Sequence, residues 1–296
     1  MMPPAGDPEQ AAPALSIVVA CVGGPNGAER CLEALAPQLD DAEVLVGSPS
    51  PVSAELRARH PHVTFHERAG ALVPELWRDG IERARGAVVA MTISPMVPSA
   101  DWAATARAGA ERHGVMAGAI DPLIGLTPGD LAECLCRYAR DLSPFEARDT
   151  PDLPGDNCAY RRELLEQTRA IWADGFWEPE VNHALHGRGV TLRQDPALRV
   201  HQGRSAGTAA FVRQRLVHGR ANGRQRGAHF SPLRNVAGVL GAPLVPVVLL
   251  LRTYRELAAR SRVNAPAIRA LPWLVAYDVA WAVGEAQGHL DALKRA

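Results

Sequence analysis

Two short acidic segments stand out in a chain with few other reactive groups. Phe176-Trp177-Glu178-Pro179-Glu180 sets two carboxylates two residues apart beside an indole, and Gly155-Asp156-Asn157-Cys158 joins an acid to an amide in a polar turn. A carboxylate next to an aromatic ring loses water, which raises its pKa and makes it a better proton acceptor near neutral pH. The same residue types also suit plain structure. Glu178 would be favoured at a helix N-terminus by the helix dipole, and Asp156 and Asn157 are good turn and cap formers.

Other chemistries are thinly represented. Cys21, Cys31, Cys134, Cys136 and Cys158 form no C-x-x-C pair, and Cys134-x-Cys136 is too isolated for a zinc site. They read as free thiols, in keeping with a reducing, cytosol-facing compartment. There is no glycine-rich dinucleotide loop and no phosphate-loop lysine. The 32 Lys+Arg residues balance 32 Asp+Glu residues, so no global basic field invites nucleic acid. Lys294 is the only lysine, a bias toward arginine that reads as composition rather than as a phosphate-binding surface.

Stepping along the 296 residues, 47% of them hydrophobic, gives the elements that must position these groups. Leu15–Val22 is a β-branched apolar run that ends in a Gly-Gly-Pro turn, the pattern of a buried strand. Residues 28–39 have helical spacing, 42–48 and 63–67 read as strands, and 73–86 as a helix with Gly86 at its C-cap. Ala87–Thr92 is a fourth strand. Strands alternating with helices predict an α/β fold with a mostly parallel sheet, whose ligands bind beyond the carboxyl ends of the strands. Further on, 101–114 reads as a helix, 115–122 as a strand, 130–142 as a helix, and 153–168 as a polar turn entering a helix. Residues 175–189 run from aromatic to acidic to helical, and 190–203 hold two short strands.

The order of these segments resembles the family-2 glycosyltransferases with their GT-A nucleotide-sugar fold, over roughly residues 14–230. LSIVVACVGG is similar to the family's opening strand and AEVLVGSPS to its second. VPELWRDGIERARGAVVAMTISPMVPSADW resembles the helix, turn and Asp-x-Asp strand. LPGDNCAYRRELL resembles the acceptor-side segment, and GFWEPEVNHALHGRG stands where the family carries its acidic catalytic motif. The resemblance implies an inverting transfer of a sugar from a nucleotide-sugar donor to a lipid-linked or polysaccharide acceptor.

Residue by residue, the resemblance implies Glu178 as the catalytic base, with Glu180 in reserve. It implies Ala20, Cys21, Gly47, Ser48, Arg78 and Ser94 on the donor side, and Asp156, Asn157, Arg161 and His201 on the acceptor side. The chain departs from the family where metal ligands are expected. Gly47-Ser48 replaces the first acidic pair and Ile93-Ser94-Pro95 replaces Asp-x-Asp, so no metal ligand is assigned and a tightly held Mg2+ or Mn2+ is not expected. Trp77-Arg78 also replaces the family's Arg-Asn. Arg78, Arg161, Arg162, His201 or Arg215 would then neutralise the diphosphate. The same departures leave open an alternative, a catalytically inactive GT-A-like binding or scaffold protein in glycan assembly. A different nucleotide-binding α/β enzyme is a third reading.

The ends of the chain differ from its middle. Residues 1–13 lack a basic region followed by an apolar one and read as a disordered lead-in rather than a secretory signal. Residues 231–296 read as a helical tail. No charge occurs between Arg234 and Arg252, a run of 17 residues kinked by Pro243 and Pro246, and a second apolar stretch at 270–284 is interrupted by Asp278. Arginines and histidines crowd the segment before the first run. Together these features predict association with the cytoplasmic face of the cell membrane, shallow or re-entrant rather than as two clean spans.

Overall fold

The computed structural model describes residues 12–204 and 207–294; most of the expected lead-in lies outside the described residues. The chain divides into two compact units, residues 1–119 with 146–201, and residues 120–145 with 202–296.

The first unit opens with β1 (Leu15–Ala20), α1 (Glu29–Leu35), β2 (Ala42–Ser48), α2 (Ala54–Arg59), β3 (Val63–Glu67), α3 (Val73–Arg83) and β4 (Val88–Ile93). It continues with β5 (Met96–Pro98), α4 (Trp102–His113) and β6 (Val115–Pro122). Helix α5 (Pro128–Tyr138) belongs to the second unit. The chain then adds β7 (Arg148–Asp149), β8 (Asn157–Arg161), α6 (Arg162–Gln167), α7 (Glu178–Gly187) and β9 (Leu192–Gln202). Among the described residues these nine strands form one sheet in the order β3-β2-β1-β4-β8-β6-β9-β5, with β7 on the side of β9.

Strands β1 to β4 pair in parallel, and every residue of β1 and β4 is buried, as expected of strands covered on both faces. The register aligns Ala20 with both Gly47 and Ile93, so the carboxyl ends of β1, β2 and β4 finish level. The mostly parallel α/β architecture is therefore the one expected, with β8 inserted antiparallel between β4 and β6.

Several local expectations are corrected. Residues 157–161 are a strand rather than the start of a helix; Asn157, Cys158, Ala159 and Tyr160 are all buried between two neighbours, and the helix begins only at Arg162. Residues 192–202 are one strand rather than two, continuous through Pro196, with Asp195 accepting from the Ala197 amide at 2.9 Å. Helix α2 was not expected; Ser53 caps it through the Leu56 amide at 3.2 Å. Gly86 does not cap α3, which ends at Arg83 with Ala84 extended. Gly86 is required for a close approach instead: a Cβ there would lie 2.5 Å from the Ser16 amide nitrogen. The Ser16 hydroxyl accepts from the Gly86 amide at 2.7 Å and donates to Glu43 at 2.6 Å.

The second unit is helical: α5, α8 (Thr208–Ala228), α9 (Pro232–Gly241), α10 (Val245–Ala259), α11 (Ala265–Arg269) and α12 (Leu271–Leu293). Helices α8 and α12 meet through glycines spaced four apart. A Cβ on Gly219 or Gly223 would come within 2.3 or 2.2 Å of the Trp281 or Glu285 carbonyl oxygen. A Cβ on Gly284 or Gly288 would come within 2.2 or 2.4 Å of those of Leu216 or Arg220. Backbones at this separation leave no room for any side chain.

Much of the arginine density of α8 is met by α12. Arg215 faces Asp278 at 3.4 Å, Arg226 faces Glu285 at 2.9 Å, and Arg220 and Arg224 share Asp291 at 2.7 and 2.6 Å. Asp278, which interrupts the second apolar stretch, is thus a buried partner in a helix pair. Pro243 and Pro246 do not break the first stretch. Pro243 opens the 3-10 turn Ala242–Leu244 and Pro246 sits in the first turn of α10, where a missing amide costs little. Pro232–Ala259 is consequently one 28-residue helical run, whose most apolar 18-residue stretch has a mean hydropathy of 1.9 and is 6% buried. By length and composition it is, among the described residues, the one helix capable of crossing a membrane.

Candidate active site

The carboxyl ends of β1, β2 and β4 gather the expected donor-side residues. The Cys21 amide donates to the Gly47 carbonyl at 2.8 Å and the Ser94 amide to the Ala20 carbonyl at 3.0 Å, so the three chain exits are tied side by side. The hydroxyls at this edge already have work. Ser94 Oγ accepts from the Val22 amide at 3.0 Å and Ser48 Oγ donates to the Ser50 carbonyl at 2.6 Å; both residues are buried. Gly47 lies beneath the imidazole of His66, where a Cβ would meet Nε2 at 2.7 Å. Burial, followed by the charge of Arg83, lowers the His66 pKa. Burial likewise pushes the Cys21 thiol up to about 12, so it stays protonated.

The acidic segments converge on the same edge through β8. Thr92, at the end of β4, pairs with Asn157, and its hydroxyl donates to the Asp156 carbonyl at 2.9 Å. The turn Gly155-Asp156 is therefore pinned beside the exit of β4. Glu178, the first residue of α7, lays its side chain on Gly155: a Cβ on that glycine would fall 2.7 Å from the Glu178 Cγ and Cδ and 3.0 Å from Oε1. Two half-buried acids, Asp156 and Glu178, thus meet at one turn. Cys158 registers both: burial first, then the charges of Glu178 and Asp156, push its thiol well above the usual range. Glu180 is exposed in the first turn of α7.

Aromatic packing holds Glu178 in place. Phe176 is fully buried, with ring centroids 5.6 Å from Tyr160 and 6.4 Å from each of Trp77 and Trp172. Its amide donates to the Pro74 carbonyl at 2.8 Å, and the Tyr160 hydroxyl donates to Asn182 of α7 at 2.7 Å. Trp177 differs from expectation: it keeps 48% of its surface exposed, and the indole that goes into the core is that of Trp77, which donates to the Thr92 carbonyl at 3.0 Å. Gly155, Thr92 and Phe176 are the positioning residues that sequence reasoning missed. Only the glycine, one residue before the acid, left a visible signal.

Several assigned residues are placed elsewhere or spent. Asn157 is fully buried; its amide donates to the carbonyls of Ala119 and Leu198 at 2.9 and 3.0 Å, and its Oδ1 accepts from the Trp102 indole at 2.8 Å. Both of its N–H donors and its Oδ1 are engaged inside the sheet layer. Arg161 pairs with Val88 at the start of β4, the opposite edge from Asn157, because β8 runs antiparallel. Arg162 donates to the Gly86 carbonyl at 2.8 Å on that far edge. Arg78 stays near α3, bound to Asp79 and to the Ala173 carbonyl at 3.3 Å. His201 is half-buried near the end of β9, three residues beyond Leu198. Arg215 lies in the second unit, paired with Asp278.

Ile93-Ser94-Pro95 offers one hydroxyl that is already engaged, and among the described residues no three His, Cys, Asp or Glu side chains gather as ligands.

A sheet with a parallel half, an antiparallel insertion and flanking helices matches a GT-A-like fold. Over 93% of this chain and 88% of the other, it is similar to the mannosyltransferase PcManGT from Pyrobaculum calidifontis, determined with GDP-Man and Mn2+, with a TM-score of 0.51 at 18% identity. It is also similar to GalNAc-T7, determined with UDP, GalNAc and Mn2+, over 66% of this chain and 45% of that one, with a TM-score of 0.50 at 14% identity. No family model and no curated protein sequence matches the chain.

Proposed function

We propose that this chain is a glycosyltransferase that moves a sugar from a nucleotide-sugar donor to a lipid-linked or polysaccharide acceptor with inversion. The observation that carries the reading is the seat of Glu178 on Gly155, beside Asp156 and the exit of β4. In a single displacement, the acceptor hydroxyl oxygen bonds to the anomeric carbon as its proton passes to the Glu178 carboxylate. The bond from that carbon to the phosphate oxygen breaks, and its electron pair leaves with the nucleoside diphosphate. A positioned base of this kind contributes roughly 100- to 10,000-fold. The donor would lie against the level exits of β1, β2 and β4.

The exposed run Pro232–Ala259 supports attachment to the cytoplasmic face of a membrane, where a lipid-linked acceptor would be met. A second reading, a non-catalytic binding or scaffold protein in glycan assembly, is favoured by the engagement of the Ser48 and Ser94 hydroxyls inside the protein.

The test is calorimetric titration of the purified protein with UDP-, GDP- and dTDP-sugars, with and without Mn2+, followed by a transfer assay comparing the native chain with Glu178→Gln. Saturable binding of one donor, and turnover that falls at least 100-fold in the variant with an unchanged melting temperature, are expected. Binding without turnover would establish the scaffold reading, and unchanged turnover in Glu178→Gln would remove the base assignment.

A further inference from the structure

The second unit contains a cavity of about 460 Å3, unrelated to the acidic turn and within the ordinary range for small-ligand pockets, roughly 300–1,000 Å3. Its wall is aliphatic. Leu123, Leu126, Leu131 and Leu135 come from α5 and the loop before it, Leu142 follows α5, and Leu257 comes from α10. Polar groups are few and lie on one stretch, Arg262 to Arg269. Arg262 is occupied by Asp121 at 3.0 Å and Ser143 at 3.1 Å. Arg269, in the last turn of α11, is exposed, and among the described residues it enters no ion pair.

Apolar side chains extend around this cavity. Ile124 is 99% exposed, and Val263 and Ile268 are exposed on the facing segment. Leu257, the one residue of α10 on the lining, is itself buried. An aliphatic hollow edged by exposed apolar side chains, with an unpaired cation on its lining, specifies an amphiphile: one hydrocarbon chain with an anionic head.

We propose that this cavity binds a lipid phosphate, with the hydrocarbon chain among Leu123, Leu131, Leu135 and Leu257 and the phosphate on Arg269. The site is independent of the transfer reaction, since binding alone is read, and it stands whether or not Glu178 acts as a base.

The experiment is calorimetric titration of the full-length protein with dodecyl phosphate below its micellar concentration, with inorganic phosphate as the second ligand. One-to-one binding of dodecyl phosphate and none of inorganic phosphate is expected. Leu131→Trp, which fills the cavity, is expected to weaken binding at least tenfold. Arg269→Glu, an exposed position that leaves folding intact, is expected to weaken it severalfold. Leu240→Ser with Leu251→Ser, which removes exposed apolar surface from the long helical run, is expected to leave it unchanged. Absence of dodecyl phosphate binding would overturn the proposal, as would equal binding of inorganic phosphate. So would native affinity in both Leu131→Trp and Arg269→Glu, or loss confined to the Leu240/Leu251 variant, which would mark adsorption to the helix.

Discussion

The Glu178 side chain rests directly on the Cα of Gly155, so close that a single added methyl would stand 2.7 Å from its Cγ and Cδ. The obstructing atoms are the far part of a flexible side chain, which can swing aside. Gly155→Ala is therefore expected to fold with a stability change below about 1 kcal/mol while displacing the carboxyl group. A misplacement of roughly 1 Å is enough to cost on the order of 100-fold in turnover. Melting temperature and kcat of the variant, measured together, check this; native kcat would mean that the seat does not position the acid.

Asn157 gives the opposite expectation. Replacing it with Ala orphans the Trp102 indole and the carbonyls of Ala119 and Leu198, all buried. Each unsatisfied group costs about 1–3 kcal/mol, so a total loss of at least roughly 3 kcal/mol is expected in denaturant unfolding. A variant as stable as the native chain but with a raised acceptor KM would restore the residue to the acceptor side.

The glycines of the α8–α12 contact supply a paired test. A side chain at Gly223 would reach 2.2 Å from the Glu285 carbonyl oxygen, and backbone cannot yield as a side chain can. Gly223→Val should destabilise the second unit by more than the usual overpacking cost of about 1–3 kcal/mol, read as early protease cleavage within residues 207–294. Gly241 has nothing within 4 Å of its virtual Cβ, so Gly241→Ala should be neutral or stabilising by about 0.4–1 kcal/mol.

Glu43 ties the start of β4 to its neighbours by accepting from the Ser16 hydroxyl, the Arg85 amide at 2.6 Å and the Arg85 guanidinium at 3.0 Å. Burial pushes its pKa up, but the Ser16 and Arg85 bonds outweigh that and leave it lowered. A carboxylate with a depressed folded pKa stabilises the protein above its unfolded pKa of about 4.3, and the contribution disappears as pH falls through the folded value. Glu43→Gln should cost about 1.5–3 kcal/mol at pH 7, and the gap in melting temperature from the native chain should close below about pH 4. A gap independent of pH would show that the charge is not what matters.

Strands β1, β2 and β4 were readable because burial writes an apolar run, and the edge strand β3 because its residues alternate; β2 and β3 match their expected bounds residue for residue. Strand β8 was not, because Asn157 and Arg161 at its ends carry the polarity of a turn, and only its place between β4 and β6 makes it a strand. The resemblance put Arg161 and Arg162 at the site, whereas the antiparallel strand carries Arg161 to the edge opposite Asn157.

The sequence by itself determined that β1, β2, β3, β4 and β6 exist, where three of them end and which acids are available. It also determined the long uncharged run between Arg234 and Arg252. Only the tertiary structure decided that Glu178 lies on Gly155, that Asn157 is consumed by Trp102, Ala119 and Leu198, and that the arginines of α8 answer acids on α12. The physical reason is range. Periodicity reports a residue's burial through its near neighbours, whereas these contacts join residues far apart in the chain, 55 positions for Trp102 and Asn157. They exist only once strand register and helix packing have been chosen together.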